Sequence, residues 1–506
     1  MVMAAKALAW VAMLVIAAPA VAQTRPTEGD YYRLVDVVTS RTRSASRDPN
    51  WRPGGREVVL EVSGLEVLDE DRVAVATRMG EVWVLSGAYG EPPKNLKFTR
   101  FASALHEPMG LLREGDSLLA MQRTELTRLR DTDGDGVADE YLTVAKGWNV
   151  SGNYHEYAFG PKRDGAGNLW ITLNIGMGAG SENDKPWRGW ALVVTPEGQL
   201  KPVCAGLRSP SGLGANAEGD MFVTDQQGNW VPAGSLHHLR RGVFLGNPEM
   251  IKTFDAKGST VKLSGPIPKD RPYPEALAAL PELKPPAVWF PYHKMGESAT
   301  DIAVDASGGK FGPFSGQLFV GDFTSALINR VFLERVNGEY QGACFPFREG
   351  FACAIVRLAF GRDGSMFAGL TNRGWTSRGD AAYGLQRLVW TGKVPFEVKE
   401  MRARGDGFEL TFTKPVERGS AVDPASYAGS SYTFLYHETY GSPEIDVAPL
   451  RVKSATVSAD GKAVRLVIDG LRRYYVHELH IDGVRAESGE ALVHSVGYYT
   501  LNQVPK

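Results

Sequence analysis

The chain has 506 residues, 43% of them hydrophobic and 23% charged, so it is long enough for more than one folded domain and lacks the composition of a disordered protein. Its 56 basic and 58 acidic residues leave a net charge of -2, which excludes a broad electrostatic field for nucleic acid or for an anionic membrane. A small ligand that is neutral or of mixed charge suits this composition better.

The N-terminal residues are typical of a secretory signal peptide. Lys6 precedes an apolar stretch of roughly fourteen residues, and Ala20-Val21-Ala22 gives a small-x-small ending. We therefore predict a signal peptide over residues 1–22, with cleavage near Gln23, and a periplasmic or secreted protein. The apolar stretch is shorter than the about 20 residues that cross a bilayer, and no later segment is as continuously apolar, so we predict no membrane span.

The next region contains about six copies of one short pattern. Each copy reads as an apolar strand, a turn of Gly with Asp, Asn or Glu, and an apolar-aromatic strand that ends in a polar residue. The clearer copies lie at 157–174, 212–225, 301–322 and 356–372, and weaker copies lie at 67–85 and 110–129. Because a closed ring of blades buries faces that one blade leaves open, this predicts an all-β, six-bladed β-propeller over residues 23–394.

Two long insertions, 177–190 and 252–297, are predicted to lie between blades, and we expect such inter-blade loops to gather around one mouth of the central channel. The segment PYPEALAALPEL within the second insertion is expected to hold one short helix. From residue 395 to 506 the chain alternates apolar and polar residues with turn signals between them, which predicts a C-terminal β-sandwich of immunoglobulin or fibronectin type.

The stretch DTDGDGVADE offers several carboxylates around a tight turn. Asp131, Asp133, Asp135 and Asp139 present hard oxygens, Gly136 permits the turn, and a cation would offset the repulsion between the carboxylates. We predict a structural calcium site here. The alternative is an acidic solvated turn between two strands.

His155 stands in the stretch NYHEYAF, just before the strand of one repeat. Side chains at this place line the channel mouth of a propeller, so His155 is a candidate base. The alternative is a hydrogen-bonded structural histidine, which is the commoner role of a lone histidine.

Arg208 occupies the matching place before the next repeat, and polar side chains follow the second strand of that repeat. These are Asp225, Gln226, Gln227 and Asn229. An arginine near a neutral imidazole suits hydride abstraction from an alcohol, because one group takes the hydroxyl proton and the other holds an anionic acceptor.

Two further clusters are expected to reach the same mouth. Arg373 and Trp375 follow a strand, and His293, Lys294 and Glu297 precede one. Tryptophan with polar neighbours suits sugars, although Arg373 and Trp375 could instead close the last blade against its neighbour.

The cysteines do not form a framework of disulfides. Cys344 and Cys353 could close a hairpin disulfide, which would leave Cys204 unpaired. There is no Cys-x-x-Cys-His segment for covalent haem, so electrons from any oxidation would leave to a separate acceptor such as a cytochrome c.

The stretches HEYAFGPKRDGAGNLW (155–170) and GLRSPSGL (206–213) resemble the soluble glucose/sorbosone dehydrogenases, six-bladed periplasmic propellers that use pyrroloquinoline quinone (PQQ) and calcium. Over nearly the whole mature chain the sequence is similar to exported planctomycete and verrucomicrobial proteins called membrane-bound dehydrogenase domain proteins, through PYHKMGESATD, GKFGPFSGQLFVGD and TNRGW. The resemblance implies that His155 takes the substrate hydroxyl proton and that Arg208 holds the quinone. Ser209 and Gln227-Gly228 depart from the pattern of the dehydrogenases, which have asparagine and Gly-Pro there.

These observations favour an exported oxidoreductase that oxidises a sugar or a related alcohol or aldehyde with PQQ in the propeller mouth. The predicted PQQ contacts are Arg208, Asp225, Gln226, Gln227, Asn229, Arg373 and Trp375. Two alternatives stay open. One is a non-catalytic glycan-binding propeller, and the other is a cofactor-free polysaccharide lyase or hydrolase in which His155 takes a proton from carbon or water.

Overall fold

The structure is a computed structural model that describes residues 26–42, 59–178 and 180–506. The predicted signal peptide lies outside the described residues. Within these ranges, no helix combines the length and the apolarity needed to cross a membrane.

The regular secondary structure of the described residues is almost all β-strand, and the strands up to residue 390 form successive antiparallel four-stranded units. After a 3-10 helix (Glu28–Asp30) and β1 (Tyr32–Val38), sheet 1 contains β2 (Val62–Val67), β3 (Arg72–Thr77), β4 (Glu81–Ser86) and β5 (Lys97–Ala102). Sheet 2 contains β6 (Leu111–Glu114), β7 (Ser117–Met121), β8 (Glu125–Arg130) and β9 (Glu140–Lys146). Sheet 3 contains β10 (Ala158–Arg163), β11 (Leu169–Leu173), β12 (Trp190–Val194) and β13 (Leu200–Ala205).

Sheet 4 carries the largest insertion. It contains β14 (Gly212–Ala215), β15 (Met221–Asp225), β16 (Gly234–His238) and β18 (Val288–Phe290), with a 3-10 helix (Ile251–Asp255), β17 (Arg271–Pro272) and α1 (Tyr273–Ala279) between its last two strands. Sheet 5 begins with β19 (Ala299–Val304), β20 (Leu318–Asp322), β21 (Leu327–Val336) and β22 (Glu339–Arg348). Sheet 6 contains β23 (Ile355–Phe360), β24 (Met366–Thr371) and β25 (Tyr383–Trp390), and β1 from the N-terminus is its fourth strand.

The first strands of the sheets form a closed ring. Each of β2, β6, β10, β14, β19 and β23 contacts the next, and β23 contacts β2. Hydroxyl groups connect neighbouring sheets, because Thr224 Oγ1 donates to the Thr300 carbonyl (2.8 Å) and Thr300 Oγ1 donates to the Ile355 carbonyl (2.8 Å). The arrangement is therefore propeller-like.

Arg357, on β23, closes the centre of this ring. Its guanidinium donates to the carbonyls of Met109 (2.6 Å), Ser211 (3.1 Å), Ser63 (2.9 Å) and Val356 (2.7 Å), which come from four different sheets. The cavity beside it, lined by residues of all six sheets, has a volume of about 10 Å³, room for about one water molecule. A ligand at one rim of the ring therefore meets a closed floor.

The remaining residues form two sheets that share one core. One sheet contains β26 (Val398–Arg404), β27 (Gly407–Phe412), β31 (Arg451–Val457) and β32 (Ala463–Asp469). The other contains β28 (Ala428–Thr433), β30 (Ile445–Pro449), β33 (Tyr475–His480) and β34 (Val496–Leu501), and β34 pairs with β22, so this sheet continues sheet 5. The short elements are α2 (Arg418–Val422), a 3-10 helix (Pro424–Ser426) and β29 (Leu435–Tyr436), which pairs with β17.

The repeats and the helix of the second insertion lie where the sequence predicts them. The clear copies span β10–β11, β14–β15, β19–β20 and β23–β24, the first two strands of sheets 3 to 6, and the helix is α1. Both long insertions differ from the expectation that they lie between blades. Residues 177–190 connect the second and third strands of sheet 3, and most of 252–297 lies between the third and fourth strands of sheet 4. Cys204, Cys344 and Cys353 are all buried free thiols, so Cys344 and Cys353 are not joined.

Candidate active site at one rim of the ring

One rim of the ring collects the segments that precede each first strand and those that follow each second strand. This follows from the antiparallel order, in which the start of the first strand and the end of the second strand lie at the same edge of a sheet. His155 precedes β10 and Arg208 precedes β14, so both lie at this rim. We call it the mouth.

His155 presents a half-buried imidazole at the mouth. Its backbone N–H donates to Asn153 Oδ1 (3.0 Å), and its ring meets the Tyr154 ring edge-on, with 5.3 Å between centroids. Burial and the positive charges of Arg208 and Arg123 lower the pKa of His155. The imidazole is therefore neutral at neutral pH and able to accept a proton.

Glu156, the neighbour of His155, points the other way and is fully buried. Its carboxylate accepts hydrogen bonds from the backbone N–H of Ser151 (2.7 Å) and from Ser151 Oγ (2.7 Å). The guanidinium of Arg188 lies in the same interior and donates to the Tyr157 and Asn174 carbonyls. Glu156 thus fixes the loop that carries His155 and does not face the mouth.

A cluster of arginines and tyrosines supports the other side of His155. Arg78 donates to the hydroxyls of Tyr157 (2.6 Å) and Tyr154 (3.3 Å), and Arg123 donates to the Tyr154 carbonyl (2.7 Å). Both arginines are buried and form ion pairs with Glu107. Two guanidinium groups face one carboxylate here, so the cluster carries an excess of positive charge.

Arg78 and Arg123 are absent from the predicted site, although a signal for them exists. Each follows the second strand of one of the weaker repeats, the place that Arg373 occupies after β24. The rule that polar residues at this place face the mouth would have identified both.

Arg208 is held rigidly at the mouth and is 8% exposed. Its Nη1 donates to the Gln227 carbonyl (3.2 Å), and its guanidinium lies 5.2 Å from the centroid of the Tyr440 ring. Gly228 packs directly against it, because a Cβ atom at this position would lie 2.0 Å from the Arg208 Cζ atom and would displace the guanidinium. The charge of Arg208 also acts on Glu249, a carboxyl group whose pKa is raised by burial.

Asp225 positions Arg208 through the backbone. Its carboxylate accepts the backbone N–H groups of Arg208 (2.8 Å), Ser209 (2.6 Å) and Gln226 (3.0 Å). Burial raises the pKa of Asp225 to about 6, although these three donors favour the charged form. Asp322, at the end of β20, accepts backbone N–H groups of Glu297 and Ser298 in the same way, so the polar residue that ends these repeats anchors the segment before the first strand.

The other polar residues after β15 divide between the mouth and the C-terminal part of the chain. Gln226 Oε1 accepts a hydrogen bond from Ser209 Oγ (3.3 Å), next to Arg208. Gln227 Nε2 donates to the Pro232 carbonyl (3.1 Å) and Asn229 Nδ2 donates to the Glu438 carbonyl (2.9 Å). The side chains of Gln227 and Asn229 therefore hold loops together.

A loop of the C-terminal part, residues 437–442, docks against residues 227–232 at the mouth. Backbone hydrogen bonds join Trp230 N–H to the His437 carbonyl (3.1 Å) and Gly441 N–H to the Gly228 carbonyl (3.0 Å). The docking places Tyr440, which is 59% exposed, over Arg208. Tyr440, like Arg78 and Arg123, is absent from the predicted site, and it gave no signal because it lies far from the repeats along the chain.

Arg373 and Trp375 lie at the mouth on the loop after β24. Arg373 pairs with Glu61 (2.8 Å), and its carbonyl accepts a hydrogen bond from Arg78 (2.7 Å), while Trp375 is 65% exposed. This loop packs closely against Tyr154, because a Cβ atom added to Gly374 would lie 2.1 Å from the Tyr154 hydroxyl oxygen.

The predicted cluster before β19 is also at this rim, with two different roles. The exposed His293 pairs with Glu297 (3.1 Å), whereas Lys294 pairs with Glu444 (2.7 Å) and Glu478 (2.7 Å) of the C-terminal part. Lys294 thus joins the two parts of the chain.

The acidic loop lies at the opposite rim. It connects β8 and β9, the third and fourth strands of sheet 2. The structure brings carboxylate oxygens of Asp131, Asp133 and Asp139 within 4.8 Å of one another. Asp135 is outside this group, and its Oδ1 accepts the Val137 N–H (2.8 Å). Calcium takes about six to eight oxygen ligands, and this group offers three.

Comparison with known protein families gives a match over part of the chain. A family model described as "Domain of unknown function (DUF7133)" matches residues 94–343, which include His155 and Arg208. No curated protein matches the sequence.

Several solved structures are similar to the chain at low sequence identity. The PQQ-bound aldose sugar dehydrogenase from Streptomyces coelicolor has 14% identity and a TM-score of 0.47, over 72% of this chain and 99% of the other. The soluble aldose sugar dehydrogenase from Escherichia coli has 12% identity and a TM-score of 0.46, over 71% and 99%. The PQQ domain of pyranose dehydrogenase from Coprinopsis cinerea has 10% identity and a TM-score of 0.46, over 71% and 95%. Similarity at this level does not carry an activity or a cofactor over to this chain.

Proposed function

We propose that the chain is an exported oxidoreductase that oxidises a sugar or a related alcohol or aldehyde, with PQQ held in the mouth. In this proposal residues 1–22 are a signal peptide, residues 23–394 a six-bladed β-propeller and residues 395–506 a β-sandwich. The observation that carries it is that a neutral imidazole and a buried guanidinium lie at the same rim, where burial and then the charges of Arg208 and Arg123 lower the pKa of His155.

The excess positive charge at the mouth favours a flat anion such as PQQ, which carries several carboxylates. Arg208 offers a positive charge beside the Tyr440 ring, and Arg78 and Arg123 exceed the charge of Glu107. Buried guanidinium groups recognise carboxylates, and aromatic faces stack on flat ring systems. When bound, the quinone supplies the electron-accepting chemistry that the side chains lack.

The protein's own residues then have separate tasks. His155 accepts the hydroxyl proton of the substrate at an imidazole nitrogen, which its lowered pKa leaves unprotonated. Arg208 holds the anionic acceptor, and Asp225 keeps Arg208 in place through the backbone. The floor at Arg357 closes the ring below the mouth. Electrons pass to a separate acceptor such as a cytochrome c.

A non-catalytic glycan-binding role is the second candidate. It is favoured by the exposed aromatic side chains of Trp375 and Tyr440 at the mouth. In either case the calcium site proposed at Asp131, Asp133 and Asp139 is structural, because it lies at the rim opposite His155.

The test is to add PQQ and calcium to the purified protein, remove unbound quinone, and measure the quinone absorbance retained and dye reduction with sugars. We expect stoichiometric retention. His155→Ala should lower the turnover about a hundredfold to ten-thousandfold with retention unchanged, Arg208→Gln should weaken retention, and His293→Ala at the same rim is the control. Absence of retained quinone would reject the PQQ assignment, and an ultraviolet signal from unsaturated sugar products would identify a lyase instead.

A further inference from the structure

Three of the exposed aromatic side chains surround the mouth. Tyr154 is 49% exposed, Trp375 is 65% exposed and Tyr440 is 59% exposed. They come from three distant segments, before β10, after β24 and after β29. Exposed aromatic rings that gather at one rim beside polar groups are typical of a ligand-binding site.

The rings form separate faces on the two sides of the proposed catalytic pair. Tyr154 adjoins His155, with 5.3 Å between ring centroids, and the loop of Trp375 touches Tyr154. Tyr440 adjoins Arg208 at 5.2 Å. Within the described part of the chain, Tyr440 makes no ring contact with Tyr154, so one sugar ring stacked on either face leaves the other free.

Guanidinium groups lie beside two of these rings. Arg78 donates to the Tyr154 hydroxyl (3.3 Å), and the Arg208 guanidinium lies beneath Tyr440. A sugar presents C–H groups to an aromatic face and hydroxyls at its edge, which matches a ring with donors around it. The exposed aliphatic side chains Val137 and Leu142, by contrast, belong to the opposite rim.

The position of Tyr440 is determined by the C-terminal part of the chain. Backbone bonds hold residues 437–442 against residues 227–232, and Tyr436, buried at the base of this loop, packs on Trp230 with 5.3 Å between centroids. A loop anchored on both sides of Tyr440 presents its ring without a large loss of conformational entropy on binding.

We infer that the mouth takes an oligosaccharide, with Tyr440 of the C-terminal part as one sugar-stacking face and Tyr154 with Trp375 as the other. This inference rests on the proposed sugar-binding role of the same mouth. The C-terminal part is therefore a component of the substrate site and sets the length of the sugar that binds best.

Calorimetric titration of the full chain with cellohexaose, maltohexaose and xylohexaose, each compared with its monosaccharide, tests this inference. We expect at least one hexasaccharide to bind roughly tenfold or more tightly than its monosaccharide. Tyr440→Ala and Trp375→Ala should each remove most of that difference, and Tyr440→Phe should retain it because the ring is kept. Tyr141→Ala is the matched control, since Tyr141 is exposed at the opposite rim.

The inference is overturned if none of the hexasaccharides binds more tightly than its monosaccharide, or if Tyr440→Ala binds them as the unchanged protein does. Thermal melting of each variant identifies a loss of folding, and Tyr440→Phe separates a lost ring from a displaced loop. Failure of the proposed oxidation is distinguishable, because it would abolish quinone retention and dye reduction while the dependence on sugar length remained.

Discussion

His494 connects three parts of the chain through two carboxylates. Its Nδ1 lies 2.7 Å from Glu397 and its Nε2 lies 2.9 Å from Glu28, and Glu28 also pairs with Arg348 of β22 (3.2 Å). The His494 side chain is 13% exposed. Interactions with the two carboxylates outweigh burial and raise the pKa of His494 from 6.5 to about 9.

The raised pKa means that the protonated form of His494 stabilises the folded protein. A folded-state pKa of about 9 against an unfolded value of 6.5 corresponds to about 3 kcal/mol, on the order of one strong buried interaction. This contribution is present in full below the unfolded pKa and is lost as the pH rises through about 9, because the folded protein then no longer binds the extra proton.

Urea unfolding of the full chain with and without His494→Gln measures this contribution. We expect the substitution to lower the free energy of unfolding by about 3 kcal/mol near pH 6 and by much less near pH 10. His293→Gln, an exposed histidine paired with a single glutamate, is the control and should change little at either pH. An equal loss for His494→Gln at both values would refute the ionic origin of the stabilisation.

Two further predictions concern the centre and the opposite rim of the ring. Arg357→Met removes the donor to four carbonyl groups and should lower the free energy of unfolding in urea by about 3 kcal/mol or more. Arg362→Met, at an exposed arginine, is the control. Equal urea midpoints of unfolding for the two variants would contradict the role of Arg357. Calcium should raise the melting temperature of the unchanged protein, Asp133→Asn should remove that rise, and Asp135→Asn should keep it because Asp135 lies outside the carboxylate group. A rise that persists in Asp133→Asn would exclude this site.

The repeated sequence pattern indicates where the strands of each repeat begin and end. Apolar alternation fixes which residues enter a sheet, and Gly with Asp, Asn or Glu fixes the turns, so both signals are local. The polar residue that ends a repeat also has a local position, and Asp225 and Asp322 occupy it. Its function was harder to predict, because the carboxylate of Asp225 binds the backbone before β14 instead of facing a ligand.

The acidic loop illustrates the same limit at short range. Its spacing suggested four ligands, yet the structure groups the carboxylate oxygens of Asp131, Asp133 and Asp139 and leaves Asp135 outside that group. The choice depends on the backbone conformation of the turn, which the spacing of aspartates does not specify.

The sequence by itself determined the paired inner strands of the repeats, and from them the rim at which His155 and Arg208 lie, because each depends on residues that are neighbours along the chain. Only the tertiary structure decided that Arg357 closes the floor and that Tyr440 covers Arg208. Both contacts join segments more than two hundred residues apart, and they exist because the ring closes and a C-terminal loop docks on it. No local pattern encodes a contact of that range, since its energy is gained only after the intervening chain has folded.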